Sequence, residues 1–529
     1  MSARPNIVLI VTDQQRADHL SCAGNTVLQT PNIDRLAGEG TRFDNCYVAN
    51  PICAPNRASI LTGRMPSAHG VRSNGIPLSL DARTFVAELQ NAGYATALVG
   101  KGHLQNITGL DREFIPEGAE DLMDDQKRIR EAFDRDMYGD EYQSENILRW
   151  RADPDHRVRT PYYGFDHVDL AIWHGDMVGG DYEHWLDERC PDHRALRGQL
   201  NAEPDDRYSV PQAWRTRIPE EFHPSAFVAE KSIDYLRVRA SEGGDSPFFL
   251  QVSFPDPHHP FTPPGKYWDM YDPDAMPLPA SFGQGDTPIL RHMRETRAAG
   301  TDFRLGQMPF AVSDREAREA IALTYGMISM IDDQVGRILA CLEETGQIDN
   351  TVIIFTSDHG EMMGDHGILL KGPLHYRNSI RVPLLWREPG GGEPAVVEEM
   401  VSSIDISATI LARAGVRPYY GIQGRVMPGL LDDGPGSRDA VLVEDDRERV
   451  YLNFDRPQRI RTIVTRKHRM TVFRPMAYGE LFDLEADPDE NVNLWDDPAS
   501  QHVRQALTEQ LLNLMIDTTD WTPAMTGRA

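Results

Sequence analysis

Four short runs of almost uninterrupted apolar residues set the strongest limit on what this chain can fold into. They are Asn6-Ile7-Val8-Leu9-Ile10-Val11 and the segments 95–99, 248–254 and 351–356. A strand with one wet face alternates apolar and polar residues. A run without a polar side fits a strand covered on both faces, as in a parallel sheet. Helical spacing lies between these runs. Residues 84–91 carry Phe85, Val86 and Leu89 at helical intervals and stop at Ala92-Gly93-Tyr94. Residues 317–345 align Ile321, Tyr325, Ile328, Ile331, Val335, Ile338 and Leu342 on one face. Strands alternating with helices predict a doubly wound α/β sheet.

The pattern changes twice along the chain. Residues 110–225 are rich in Asp, Glu, Arg, His and Trp, show little periodicity, and read as a long insertion over one end of the sheet. Residues 277–309 look similar but shorter. Beyond Gly434-Pro435-Gly436, the segments 440–444, 459–465, 469–473 and 480–484 read as antiparallel strands, and 500–516 as a terminal helix. The 529 residues therefore divide into a large α/β domain over 1–435 and a smaller α+β subdomain over 436–529.

Charge narrows the partners. With 54 basic and 81 acidic residues the net charge is −27, which argues against nucleic acid and anionic membrane surfaces. A local positive pocket can still hold a small anion. The five cysteines (Cys22, Cys46, Cys53, Cys190, Cys341) are scattered and form no Cys-x-x-Cys, so neither a disulfide framework nor a zinc ribbon is indicated. No run approaches the roughly 18 apolar residues of a membrane span. The apolar run after Met1-Ser2-Ala3-Arg4-Pro5 is too short for a secretory signal. A soluble, cytoplasmic protein is expected.

Ligands of open α/β sheets sit at the carboxyl ends of the strands. Here the four runs end in Thr12-Asp13-Gln14, Gly100-Lys101-Gly102-His103, Pro255-Asp256-Pro257-His258-His259-Pro260 and Ser357-Asp358-His359-Gly360. One polar strand end is often only a cap. Four that carry acids, an amide, histidines and a lysine point to one shared crevice.

Cys53-Ala54-Pro55-Asn56-Arg57, followed by Ala58-Ser59-Ile60-Leu61-Thr62-Gly63-Arg64, resembles the signature of the type I sulfatases of the alkaline phosphatase superfamily. The resemblance runs from Pro5 to the C-terminal strands, including Glu480-Leu481-Phe482-Asp483-Leu484, and weakens in the insertion. It implies an alkaline phosphatase-like fold, a doubly wound mixed sheet flanked by helices, with an antiparallel sheet in the C-terminal subdomain. It also implies hydrolysis of a sulfate monoester to an alcohol or phenol plus sulfate. In that family a formylglycine-generating enzyme oxidises the cysteine to an aldehyde. One hydroxyl of the hydrated aldehyde attacks sulfur; deprotonation of the other expels sulfate.

Residue by residue, the resemblance assigns Asp13, Gln14, Asp358 and His359, with the modified Cys53, to one divalent metal (Ca²⁺, Mg²⁺ or Mn²⁺). It assigns Lys101, His103 and Lys371 to the sulfate oxygens, His258 to protonation of the leaving oxygen, and Arg57 to holding the nucleophile. His259 is the lesser candidate of its pair, and His69 and His366 read as structural. The sequence departs from the commonest pattern at Gln14, where many sulfatases have a second aspartate, and at His359, where asparagine is frequent. The Asp-Gln form is similar to that of phosphonate monoester hydrolases, and Asn74 resembles a substrate-contacting asparagine of that subgroup or serves as a turn residue before Gly75. The alternatives are thus a phosphonate monoester or phosphodiester hydrolase with the same nucleophile, and a metal-binding protein with unconverted Cys53. The partner expected is a small sulfate ester, with homo-oligomerisation left open. In the insertion, Trp173-His174-Gly175-Asp176 and Asp181-Tyr182-Glu183-His184-Trp185 offer aromatic and polar groups for a substrate pocket, or simply for packing.

Overall fold

The strand Asn6–Thr12, β1, is buried along its whole length. Its side chains divide by parity, because successive residues of a strand face opposite sides. Ile7, Leu9 and Val11 join a core with Ala58, Ile60, Leu61, Phe85, Leu89, Ile406 and Ile410. Val8 and Ile10 join another with Leu36, Phe227, Leu236, Ile331, Val335, Ile338 and Leu342. Helices therefore cover both faces, and the uninterrupted apolar run has this as its cause.

The computed structural model describes residues 4–109, 132, 137, 139–243, 246–431, 437–447, 450, 452 and 454–526. The expected boundary at 435/436, with its Gly434-Pro435-Gly436, lies outside the described residues, as does 110–131 of the expected insertion. After β1 the strands are β2 (Thr41–Tyr47), β3 (Ala95–Gly100), β4 (His167–Ile172), β5 (Gly179–Gly180), β6 (Phe248–Ser253), β7 (Phe310–Ala311), β8 (Thr351–Ser357), β9 (Ile368–Leu369), β10 (Arg381–Val382), β11 (Leu384–Arg387) and β12 (Ala395–Ser402). The main sheet runs β10-β2-β11-β8-β1-β6-β3-β4-β5, and β12 also pairs with β2. It is mixed: β1 is parallel to β6 and β8, and β3 to β6 and β4, whereas β11 is antiparallel to β8 and β2. The four strands read from the sequence are thus adjacent and parallel, in the order β8-β1-β6-β3, and their carboxyl ends share one edge.

The helix expected at 84–91 is Phe85–Asn91, capped by Thr84, whose side chain accepts from the Ala87 N–H at 3.0 Å. The long helix is Asp314–Glu344, begun by a capping box between Ser313 and Glu316. The segment 110–225 is not wholly an insertion outside the sheet, since His167–Ile172 enters it as β4 beside β3. Only Leu170, Ala171 and Ile172 of that strand are buried, so no long apolar run marks it.

The C-terminal sheet is antiparallel in the order β13 (Ala440–Asp446), β14 (Arg459–Thr465), β15 (His468–Arg474), β16 (Gly479–Asp483). The terminal helix Gln501–Asp517 lays Leu507 and Leu511 against a core that takes in Leu442, Ile463, Met470 and Leu481 of that sheet and Ala49, Met65 and Ile404 of the larger body. Among the described residues no helix is long and apolar enough to cross a membrane.

Candidate active site

Two of the four strand ends, those of β1 and β3, deliver their polar residues through backbone that an extended chain would not adopt. Gln14 after β1 and His103 after β3 have φ of 68° and 57°, uncommon for side chains with a Cβ and frequent at functional sites. β3 ends at Gly100 with φ 107°. A Cβ there would lie 1.9 Å from the Ser253 carbonyl oxygen, so glycine alone lets β3 and β6 close up while the chain turns out to Lys101.

The helix Cys53–Thr62 carries the sulfur. All ten of its residues are buried. Pro55 stands in the first turn, where its missing N–H costs nothing, and Gly63 in the left-handed region ends the helix. Cys53 is its first residue. Its Sγ lies 3.1 Å from His359 Nε2 and 3.8 Å from Asp13 Oδ1. One turn on, Arg57 donates from Nε to Asp358 Oδ2 at 2.7 Å and from one terminal nitrogen to the Lys101 carbonyl (2.9 Å) and Ser253 Oγ (2.8 Å). It thereby ties the ends of β8, β3 and β6 to the helix.

Asp13, Cys53, Asp358 and His359 present ligand atoms that all lie within 4.8 Å of one another. A second grouping substitutes His174 and His258 for Asp358 and His359, and chemistry separates the two. The Nε2 atoms of His174 and His258 face the ammonium groups of Lys101 (2.7 Å) and Lys371 (2.8 Å). An ammonium can only donate, so both lone pairs are engaged. His359 instead gives its Nδ1–H to the Gly360 carbonyl at 2.9 Å, which leaves Nε2 unprotonated. That atom is 3.5 Å from Asp13 Oδ1 and 3.6 Å from Asp358 Oδ1. Fixing the far nitrogen on a carbonyl is how a ligating imidazole is oriented, so the first grouping fits a cation. Gln14 belongs beside it: its N–H donates to Asp358 Oδ1 at 3.1 Å, and its Oε1 accepts from Lys371 Nζ at 2.5 Å.

Charge is balanced tightly. Burial would push the Asp13 carboxyl up, but Lys101, in direct contact, and Arg57 hold it well below the usual carboxylate range. Burial and Asp13 push the Cys53 thiol up to about 11, against the pull of Lys371 and Lys101. Burial, with Lys371, takes His359 down to about 4. His103 and His258 are held low by burial and by neighbouring lysines.

A family model described as Sulfatase matches residues 5–416. The chain belongs to the sulfatase family. A model described as the C-terminal part of N-sulphoglucosamine sulphohydrolase matches 364–517. An arylsulfatase of Clostridium perfringens is 32% identical over 93% of this chain and 90% of its own length. A multifunctional alkaline phosphatase superfamily protein of Trinickia caryophylli is also 32% identical, over 94% and 92%. Among solved structures, the phosphonate monoester hydrolase of Agrobacterium radiobacter superimposes with a TM-score of 0.76 at 28% identity, covering 99% of this chain and 98% of that one. This sulfatase is accordingly a sulfuric ester hydrolase on an alkaline phosphatase-like fold.

Of the residues singled out from the sulfatase's sequence, Asp13, Gln14, Cys53, Arg57, Lys101, His258, Asp358, His359 and Lys371 are joined by direct contacts. His103 lies in the electrostatic field of Lys101 and Arg57, and its buried Nδ1 has no hydrogen-bond partner. Asn74 is exposed, and its Oδ1 accepts from the Ala54 N–H at 3.1 Å. It therefore caps the first turn of the Cys53 helix. His69 pairs with Ser59 Oγ at 2.9 Å and His366 packs against Tyr376 with centroids 4.3 Å apart and planes at 43°, both structural contacts.

Three residues escaped the sequence reading as members of the site. Glu361, fully buried, accepts from Gln14 Nε2 at 2.5 Å and from the Met363 N–H at 3.2 Å. Glu145 accepts from the His103 and Leu104 N–H groups (2.6 and 2.9 Å) and from Tyr162 Oη (2.5 Å), fixing the Lys101–His103 loop. His174 was noted only as a pocket lining, yet it touches Lys101. Glu361 stands two residues beyond His359, and His174 lies in a mixed aromatic and polar cluster; Glu145 had no signal.

Proposed function

We propose that Cys53 is converted to formylglycine and that the modified residue, with one divalent cation, hydrolyses a sulfate monoester to an alcohol or phenol plus sulfate. The observation that carries this is the place of Cys53. Its Sγ lies at the centre of the charged cluster, 3.1 Å from His359 Nε2 and 3.8 Å from Asp13 Oδ1, and Arg57, one turn further along the same helix, holds Asp358. That is where the modified residue of the Cys-x-Pro-x-Arg signature has to stand to act together with a cation on Asp13, Asp358 and His359.

Asp13, Gln14, Asp358 and His359 would hold the cation, which as a hard Ca²⁺, Mg²⁺ or Mn²⁺ ion supplies Lewis acidity toward a sulfate oxygen. Lys101, Lys371 and His103 offset charge on the non-bridging oxygens. His258 gives its Nδ1–H to the His259 carbonyl and its Nε2 accepts from Lys371 Nζ, so the proton for the leaving oxygen would come from the Lys371 ammonium and pass through Nε2. Asn74 holds the Cys53 helix end through the Ala54 N–H.

A second reading, a phosphonate monoester or phosphodiester hydrolase with the same nucleophile, is supported by Gln14 and by the likeness to the Agrobacterium radiobacter enzyme. Intact mass and turnover decide. Conversion of Cys53 lowers the mass by about 18 Da, and Cys53→Ala should keep the fold and lose turnover. Full activity in Cys53→Ala sinks the nucleophile assignment. A kcat/KM for a phenyl phosphonate above that for an aryl sulfate favours the second reading.

A further inference from the structure

His174 lies outside the residues that carry the sulfatase pattern, but inside the site. It comes from the segment after β4 and is 5% exposed. Its Nε2 accepts from Lys101 Nζ at 2.7 Å. Its ring lies flat on His258, with centroids 3.7 Å apart and planes at 12°. His259 also stacks on His258, at 4.1 Å and 26°. Lys371 Nζ donates to His258 Nε2 at 2.8 Å.

The turn that delivers His174 is built for the purpose. Trp173 has φ 90°, which costs a bulky residue steric strain. Gly175 has φ 55°, and a Cβ on it would meet Pro260 Cγ at 2.7 Å. Trp173-His174-Gly175 is therefore seated on the His258-His259-Pro260 loop, and strain is accepted to keep it there.

We propose that His174 is a positioning residue for sulfate-ester cleavage: its Nε2 fixes the Lys101 ammonium, and its ring face fixes the orientation of His258. This rests on the sulfatase reading and deepens it. The two contacts are chemically separable. His174→Gln keeps an acceptor and loses the flat ring; His174→Phe keeps a flat ring and loses the acceptor. Lys101 holds the sulfate before and during the reaction alike, so losing its acceptor raises KM more than it lowers kcat. His258 acts on the leaving oxygen only in the transition state. Losing its support lowers kcat, and more for an alkyl sulfate than for 4-nitrophenyl sulfate, whose leaving group needs little protonation.

The experiment measures kcat and KM on both esters for wild type and the two variants, with unfolding temperature as the check on folding. His174→Phe should raise KM about tenfold and leave the alkyl-to-aryl ratio of kcat within about threefold of wild type. His174→Gln should keep KM within about threefold and lower that ratio about tenfold or more, since a misplacement of about 1 Å costs up to about a hundredfold. His174→Ala should do both; if it fails to fold, the Gln and Phe variants still decide. Folded variants with wild-type constants, or equal losses on both esters with KM unmoved, overturn the role of His174 and leave the sulfatase reading standing. A wild type inert on every sulfate ester faults that reading instead.

Discussion

At position 14 the amide matters through both its ends. The N–H₂ end donates to the buried Glu361 at 2.5 Å, and the carbonyl end accepts from Lys371 at 2.5 Å. Burial already raises the Glu361 carboxyl above its ordinary range. An aspartate at 14 cannot donate and adds a like charge beside it. Gln14→Asp should therefore penalise a phosphate monoester dianion more than a sulfate monoester monoanion. The sulfate-to-phosphate ratio of kcat/KM should rise, each ~1.4 kcal/mol of differential repulsion giving about tenfold. It should also lose about 1–3 kcal/mol of stability, the cost of an unsatisfied buried acceptor. Glu361→Gln in the same background should recover part of that loss. A constant or falling substrate ratio would leave Gln14 as a ligand of geometry only; denaturation without recovery would remove Glu361 as its partner. Gln14 was legible as a polar residue ending the first apolar run. Its partner was not, because the two lie 347 positions apart.

The element that presents Asp358 and His359 is the loop after β8. Gly360 N–H donates to the Ser379 carbonyl at 3.0 Å and Glu361 N–H to the Asn378 carbonyl at 3.1 Å. A Cβ at Gly360 would lie 2.0 Å from the Asn378 oxygen, and backbone on both sides cannot yield cheaply. Gly360→Ala should push Asp358 and His359 out of register and weaken Ca²⁺ binding about 10–100-fold, the range seen when the supports of metal ligands are lost. Calorimetric titration with Ca²⁺ measures this; an unchanged affinity would show that the loop relaxes without moving its ligands. Elements differ in how far their sequences announce them. β8 is buried throughout and reads as an apolar run. β2, Thr-Arg-Phe-Asp-Asn-Cys-Tyr, has only Phe43, Cys46 and Tyr47 buried, and was not read as a strand.

For the whole molecule the dominant titration is that of its histidines. Thirteen of the 17 are held below their ordinary range, burial being the first cause in each. His19, buried against Tyr325, is taken to about 4. A lowered histidine is neutral in the native state where the unfolded chain, near pKa 6.5, binds a proton. Its stabilisation is present above pH ~6.5 and is lost as pH falls toward the folded value. Among the described residues six carboxyls are raised by burial and act in the opposite sense, Asp256 to about 7 among them. The histidines outnumber them, so the urea midpoint, measured with chelator present, should fall from pH 7 to pH 5. A midpoint that holds or rises would mean the raised carboxyls dominate.

What the sequence determined by itself was local. Uninterrupted apolar runs made the buried strands, because a strand covered on both faces has no place for a polar side chain. The polar residues that end those runs, and the likeness of Cys53-Ala54-Pro55-Asn56-Arg57 to the sulfatase signature, pointed to sulfate-ester hydrolysis. Tertiary structure decided what local pattern cannot hold: that β8, β1, β6 and β3 are neighbours in that order, so that four strand ends become one site. It also brought Glu145 and His174 to the Lys101 loop from a stretch without periodicity. The C-terminal sheet, too, is set behind the cysteine, where the Glu444 carbonyl accepts from Asn50 Nδ2 at 2.7 Å and its N–H donates to the Ala49 carbonyl at 2.9 Å. Such contacts arise from packing between segments tens to hundreds of residues apart, and packing leaves no periodicity in either partner to be read.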